Sequence, residues 1–215
     1  MITTVYIIRH GLTAAAAEKR YAGHLDVPLS PEGEKQMERL ARHLIGKTGP
    51  GLSEGADSAL EYVYCSDLQR ARKSAEIIAR PFGLQPVEVS ALRERNFGSW
   101  EGMTFDEVNQ VFPGEFQEWV TDPLAFCPVG GESAIDVRNR VMRVFYNIIA
   151  KKRGQKIAVV AHGGVNRIIL CELLGIPLRN LFKIEQDFSA LNVCLFHDKT
   201  PVLTLMNHVV EMEAP

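Results

Sequence analysis

The sequence predicts an α/β fold: a three-layer α/β/α sandwich around a mostly parallel central sheet, with a small inserted cap. Three observations carry this. Short β-branched and aromatic runs alternate with segments of helical periodicity, the pattern of helices laid on the faces of a parallel sheet. Three of those segments, 3–8 (TTVYII), 62–65 (YVYC) and 156–161 (KIAVVA), stop abruptly at polar residues. Residues 92–130 break the alternation, with Phe97, Trp100, Phe105, Phe112, Phe116, Trp119 and Phe126 scattered without a clear period. That segment reads as short helices and loops forming a cap. No internal repeat or linker divides the chain, so residues 1–215 are expected to form a single domain.

The elements follow in order. Residues 3–8 are rich in β-branched side chains and predict a strand, followed by a polar loop to Pro28. Ser30-Pro31 opens a helix, with Ser as N-cap and Pro at the first helical position. Met37, Leu40, Ala41, Leu44 and Ile45 make its inward face, and a Gly-rich stretch from Gly46 to Gly55 ends it. After the 62–65 strand, Ser66 is expected to cap a helix that runs to Arg80 and is stopped by Pro81. Residues 87–89 predict a short strand. Ser133 starts a long helix with Val137, Val141, Val144, Phe145, Ile148 and Ile149 inward. The 156–161 strand leads through His162-Gly163-Gly164 into a helix with Val165, Ile168, Ile169 and Leu173 on its core side, ended by Gly175 and Pro177. Strands at 191–196 and 202–206 close the chain.

Composition narrows the function. The 24 Lys+Arg and 26 Asp+Glu leave a net charge of −2 with no basic stripe, which argues against a nucleic-acid partner. The longest run free of Asp, Glu, Lys and Arg is 11 residues, 200–210, too short for a membrane span. The N-terminus reaches Arg9 without a basic n-region, so no secretory leader is expected. Cys65, Cys127, Cys171 and Cys194 form no C-x-x-C pair, and no N-x-S/T sequon occurs. Reduced, mostly buried thiols in a cytoplasmic protein are the expectation.

Ligands of open α/β sheets sit beyond the carboxyl ends of the strands. Here those ends carry Arg9-His10-Gly11, Ser66 to Arg70, and His162-Gly163-Gly164. If the strands run parallel, two arginines and two histidines gather at one point. A histidine beside two arginines loses its proton easily, and neutral imidazole is a nucleophile toward phosphorus. Arginine forks grip phosphate oxygens. Phosphoryl transfer therefore fits, with His10 attacking, Arg9, Arg70 and His162 holding charge, and a carboxylic acid protonating the leaving oxygen. Taken singly, each residue is more often structural or merely exposed. Gly46-Lys47-Thr48 imitates the tail of a P-loop, but Ala41 stands where its first Gly should be and the segment follows a helix. His24, His43, His197 and His208 show no metal spacing, so neither metal nor cofactor is expected.

Taken together, the motifs resemble the histidine phosphatase superfamily, also called phosphoglycerate-mutase-like. Arg9-His10-Gly11-Leu12-Thr13 is similar to its R-H-G-x-T signature. Residues 21–33 (YAGHLDVPLSPEG) are similar to the following G-x-x-D-x-P-L-(S/T)-x-x-G segment, and 66–71 (SDLQRA) to its S-x-L-x-R-A helix start. Leu92-Arg93-Glu94, Phe97 to Gly102 and Val160 to Gly164 match its later blocks in order. The resemblance implies His10 as the nucleophile and Arg9, Arg70 and His162 as the phosphate pocket. It adds Glu94 as proton donor, which is otherwise one acid among many. It also implies that Thr13, Ala22, Gly23 and Gly163 line the pocket, Thr13 by its hydroxyl and Gly23 by its backbone N–H. One departure stands out: the family's Trp-Asn pair is replaced by Ala15-Ala16.

Two family activities compete. After Glu94 the chain reads R-N-F-G-S-W-E-G, as in the phosphatase branch, rather than the mutases' R-x-Y-G-x-L-x-G-L-N-K. A phosphomonoesterase acting on a small phosphorylated substrate is expected. The α-ribazole phosphatases are similar in length and in the Y-x-G-H-x-D-x-P-L-S segment, and sugar phosphates fit equally. A cofactor-dependent phosphoglycerate mutase is the alternative, and a phosphate-binding module without turnover is the alternative of another class. A homodimer is left open.

Overall fold

The computed structural model describes residues 1–14, 16, 20–46 and 60–211. Lys47 and Thr48 of the P-loop look-alike, most of the Gly46–Gly55 stretch, and Ala15 lie outside them.

The described chain forms β1 (Ile2–Arg9), α1 (Pro31–Gly46), β2 (Tyr62–Cys65), α2 (Gln69–Ala79), β3 (Val87–Glu88), α3 (Phe105–Val111) and α4 (Pro113–Thr121). It continues with α5 (Ala134–Lys151), β4 (Lys156–Ala161), α6 (Gly163–Leu174), β5 (Leu191–His197) and β6 (Thr200–His208). Six described strands make one mixed sheet in the order β3-β2-β4-β1-β5-β6. The β2–β3, β2–β4 and β1–β4 pairings are parallel, and β1–β5 and β5–β6 are antiparallel. The parallel core was expected; β5, antiparallel to both of its neighbours, makes the sheet mixed.

Side chains of a strand alternate between faces, and here the alternation builds two cores. Val5, Ile7, Ile157, Val159, Cys194 and Phe196 pack against α5 and α6. Tyr6, Ile8, Ala158, Val160, Leu191 and Val193 pack against α1 and α2 on the other face. These are the three layers. A satellite cluster of Trp100, Val108 and Phe126, with Tyr21, Phe97, Phe112, Phe116 and Trp119 against it, gathers the aromatic segment.

Ser30 caps α1 as predicted, its Oγ accepting from Gly33 N–H at 3.0 Å. Ser133 caps α5 in a capping box with Asp136. Three expectations are corrected. Ser66 does not cap α2: it is fully buried, its Oγ accepts from Leu68 N–H at 3.3 Å, and extended Leu68 stands at the N-cap. A Ser bonding two residues ahead makes a turn that competes with the helix start. The helix ends at Ala79, with Arg80–Phe82 tightening into a 3-10 turn that includes Pro81. Ile45 is 47% exposed rather than inward, because Leu44 closes the apolar stripe of α1. Among the described residues no helix is long and apolar enough to cross a membrane.

Candidate active site

Strands β1, β2 and β4 run parallel, so their carboxyl ends point one way. Arg9 pairs in register with Ala161, which sets His10 and His162 side by side just past the sheet. Their rings meet edge to face, centroids 5.1 Å apart. Arg70 comes from the first turn of α2 and is 2% exposed. All nine expected residues (Arg9, His10, Thr13, Ala22, Gly23, Arg70, Glu94, His162 and Gly163) line one cleft of about 330 Å³, the size range of a small-molecule site. Ala16, at the slot of the family's Asn, lines it too.

The local chemistry of each group follows from its partners. His10 Nδ1 lies 2.8 Å from the Gly11 carbonyl, which can only accept, so Nδ1 carries the proton and the lone pair falls on Nε2. Burial, then Arg70 and Arg9, hold the His10 pKa well below the ordinary histidine value. Burial, Arg70, His10 and Arg9 do the same to His162. Among the described residues, neither ring nitrogen of His162 nor Nε of Arg9 has a protein partner. Buried donors without partners suit an anion that arrives with its own acceptors.

Both arginines are fixed by carbonyls. Arg70 donates to Gly23 O at 2.7 Å and Leu25 O at 2.8 Å. Gly23 adopts φ +49°, the left-handed region, and any Cβ there would strike the Glu101 carboxylate. Arg9 donates to Gln186 O, and its guanidinium lies 3.7 Å over the Phe188 ring. Burial lowers the Arg9 pKa to about 10, so it stays charged at neutral pH.

Glu94 reaches the cleft from the loop after β3. Its carboxylate accepts from Arg95 N–H and from Gly164 N–H, both at 2.9 Å, the latter in the first turn of α6. The N–H groups at a helix start lack intrahelical partners, and one of them anchors the Glu94 side chain. The approach needs Gly164, where a Cβ would sit 2.5 Å from Glu94 Oε1.

Several supporting residues had no signal in the sequence. Arg140 of α5 donates to the carbonyls of Ala91, Arg93 and Glu94 and grips the Glu132 carboxylate with two nitrogens. His24 Nε2 donates to the same Glu94 carbonyl at 2.9 Å. Together they clamp the turn that presents Glu94. Gln186 and Phe188, in the turn before β5, were likewise missed. The outer walls of the cleft are aromatic and apolar: Tyr21, Phe97, Trp100, Trp119, Leu181 and Phe182.

A cleft of paired histidines and arginines at parallel strand ends defines a phosphoryl-handling α/β enzyme. Residues 5–209 match the profile of the histidine phosphatase superfamily, branch 1. The chain belongs to that superfamily and is a phosphatase of it. It is 29% identical to phosphoserine phosphatase 1 of Hydrogenobacter thermophilus over 94% of this chain and 90% of that one. It is 32% identical to a glucosyl-3-phosphoglycerate phosphatase of Mycolicibacterium vanbaalenii over 83% of this chain and 77% of that one. The structure of an alpha-ribazole phosphatase from Shigella flexneri superposes with a TM-score of 0.84 at 25% identity, covering 98% of this chain and all of that one.

Proposed function

We propose that the chain hydrolyses a small phosphomonoester in two steps through a phosphohistidine on His10. In the first step the His10 Nε2 lone pair forms a bond to phosphorus as the phosphorus–oxygen ester bond breaks. The departing alkoxide takes a proton from the Glu94 carboxylic acid. In the second step Glu94, now a carboxylate, accepts a proton from water. The hydroxide oxygen bonds to phosphorus, the nitrogen–phosphorus bond breaks, and inorganic phosphate leaves. Arg9, Arg70 and His162 hold the charge on the transferring oxygens, with Thr13, Ala22, Gly23 and Gly163 lining the pocket around them. Residues 92–130 act as a cap over the alcohol part of the substrate.

The observation that supports this most is the state of His10: neutral, its Nδ1 proton engaged by Gly11, two arginines beside it. Neutral imidazole with Nε2 unprotonated is what nucleophilic attack requires. Both α-ribazole-5′-phosphate and sugar phosphates are compatible alcohol partners. The relatives named for phosphoserine and glucosyl-3-phosphoglycerate widen that range to carboxylated alcohols.

The test is hydrolysis of p-nitrophenyl phosphate without added metal, with trapping of 32P-labelled protein. Wild type is expected to turn over and to label; His10→Ala is expected to do neither. Labelling that survives in His10→Ala would show that another residue is the nucleophile. Rapid conversion of 3-phosphoglycerate to 2-phosphoglycerate with a bisphosphoglycerate primer would overturn hydrolysis in favour of mutase activity.

A further inference from the structure

We infer that Arg167 is the specificity residue of this site, and that it binds a carboxylate carried on the alcohol part of the phosphate ester. The inference rests on the phosphatase reading and deepens it.

Three observations converge on Arg167. It lines the cleft, on the first turns of α6, three residues after the Gly164 whose N–H holds Glu94. Residues three apart on a helix share a face, and at 1.5 Å rise per residue the separation is roughly 4.5 Å along the axis. Arg167 thus stands in the same cleft as Glu94, its backbone about one turn further along α6 than the Gly164 that holds the acid.

The second observation is its pairing. Arg167 Nε donates to Ile184 O at 2.7 Å, which fixes the plane of the guanidinium. Among the described residues its two terminal nitrogens have no protein partner and no acid pairs with it. The other arginines of the outer cleft are engaged: Arg20 with Glu107 and Gly102 O, Arg95 with Phe126 O and Glu132 O. A half-buried cation lacking a counter-ion is a receptor for one.

The third is the surroundings. Ile168, Leu181, Phe182 and Trp119 flank this part of the cleft, and none of them brings a negative charge. Apolar walls strengthen a charge-assisted hydrogen bond by excluding water. Two parallel N–H groups match the two oxygens of a carboxylate, and a single guanidinium matches its single charge.

3-Phosphoglycerate and glycerol 3-phosphate share a three-carbon skeleton and differ in carboxylate against hydroxymethyl. Phosphate release from each, measured as kcat/KM in one protein preparation, gives a ratio that does not depend on the fraction folded. Wild type is expected to favour 3-phosphoglycerate about ten- to a hundredfold, the range of one charge-assisted pair. Arg167→Leu is expected to bring the ratio near one, and Arg167→Lys, which keeps charge without the fork, to fall between. A wild-type ratio near one alongside turnover of p-nitrophenyl phosphate overturns the carboxylate subsite and leaves the phosphatase standing. A ratio unchanged in Arg167→Leu overturns the assignment to Arg167. No phosphate release from any of the three esters overturns both.

Discussion

His10 and His162 stand edge to face, 5.1 Å apart, at the ends of neighbouring parallel strands, and both are held neutral by burial and by the same two arginines. The arrangement has a thermodynamic consequence. In the unfolded chain each histidine takes up a proton near its ordinary value of about 6.5, whereas in the fold it does not until the pH is well below that. The unfolded state then binds more protons, so stability is full above about pH 6.5 and is lost as pH falls. Each ring contributes at most ~1.4 kcal/mol per pH unit in that window. His162→Gln is expected to flatten the slope of unfolding free energy between about pH 6.5 and 5.5 by up to that amount. Equal slopes by urea denaturation would show that His162 is protonated in the fold.

Gly164→Ala tests the seat of Glu94. A Cβ at that position would lie 2.5 Å from Glu94 Oε1, so the carboxylate must move. Alanine improves a helix by up to about 1 kcal/mol over glycine, which offsets part of the lost charge-assisted hydrogen bond to Glu94, so a net loss of no more than about 2 kcal/mol is expected. Hydrolysis of an alkyl phosphate is expected to fall at least about tenfold, the low side of a general-acid contribution. p-Nitrophenyl phosphate, whose alcohol leaves readily, is expected to lose less. Equal losses on the two esters would mean that Glu94 does not protonate the leaving group.

Arg140 is expected to couple stability to rate. Arg140→Ala frees three carbonyls of the 91–94 turn and leaves Glu132 without its cation. The cost is expected at roughly 2–4 kcal/mol, with kcat falling as the turn loosens and KM little changed. Unfolding curves and steady-state kinetics check the two parts. A change in KM alone would place Arg140 outside the support of Glu94.

Asn192 reaches Arg9 through one intermediary. Asn192 and Gln186 exchange a reciprocal pair of amide hydrogen bonds at 2.9 Å, Asn192 also donates to Ile7 O, and Gln186 O accepts from Arg9. Asn192→Leu leaves these buried groups unpaired, at about 2–4 kcal/mol. If Gln186 positions Arg9, the inhibition constant of inorganic phosphate is also expected to rise about tenfold, one hydrogen bond's worth. Lost stability with unchanged phosphate inhibition would make the pair structural.

Arg9, His10 and His162 were legible because each is local: a polar residue directly after an apolar run needs no knowledge of the rest of the chain, and Arg70, five residues past Cys65, was read only in company with them. The expectation that parallel strands bring them together held because β1, β2 and β4 pair as their apolar character demands. Glu94 was different. It follows a loop with no period, and its place is set by Gly164, 70 residues away, so only the family resemblance singled it out. Arg140 acts on carbonyls 46 to 49 residues distant, and the Gln186 carbonyl on an arginine 177 residues distant, contacts that leave no mark on neighbouring positions. Ser66 misled for a related reason: Ser before a helix reads as a cap, and only the extended Leu68 shows the helix starting later.

Both tryptophans of the chain, Trp100 and Trp119, line the cleft, and none lies in either main core. The protein therefore carries its own optical probe. Emission excited at the indoles comes from the aromatic wall alone, undiluted by signal from the sandwich. A titration with inorganic phosphate or an ester can be followed on unlabelled protein, and a fast-mixing trace would time how the wall responds as the ligand enters.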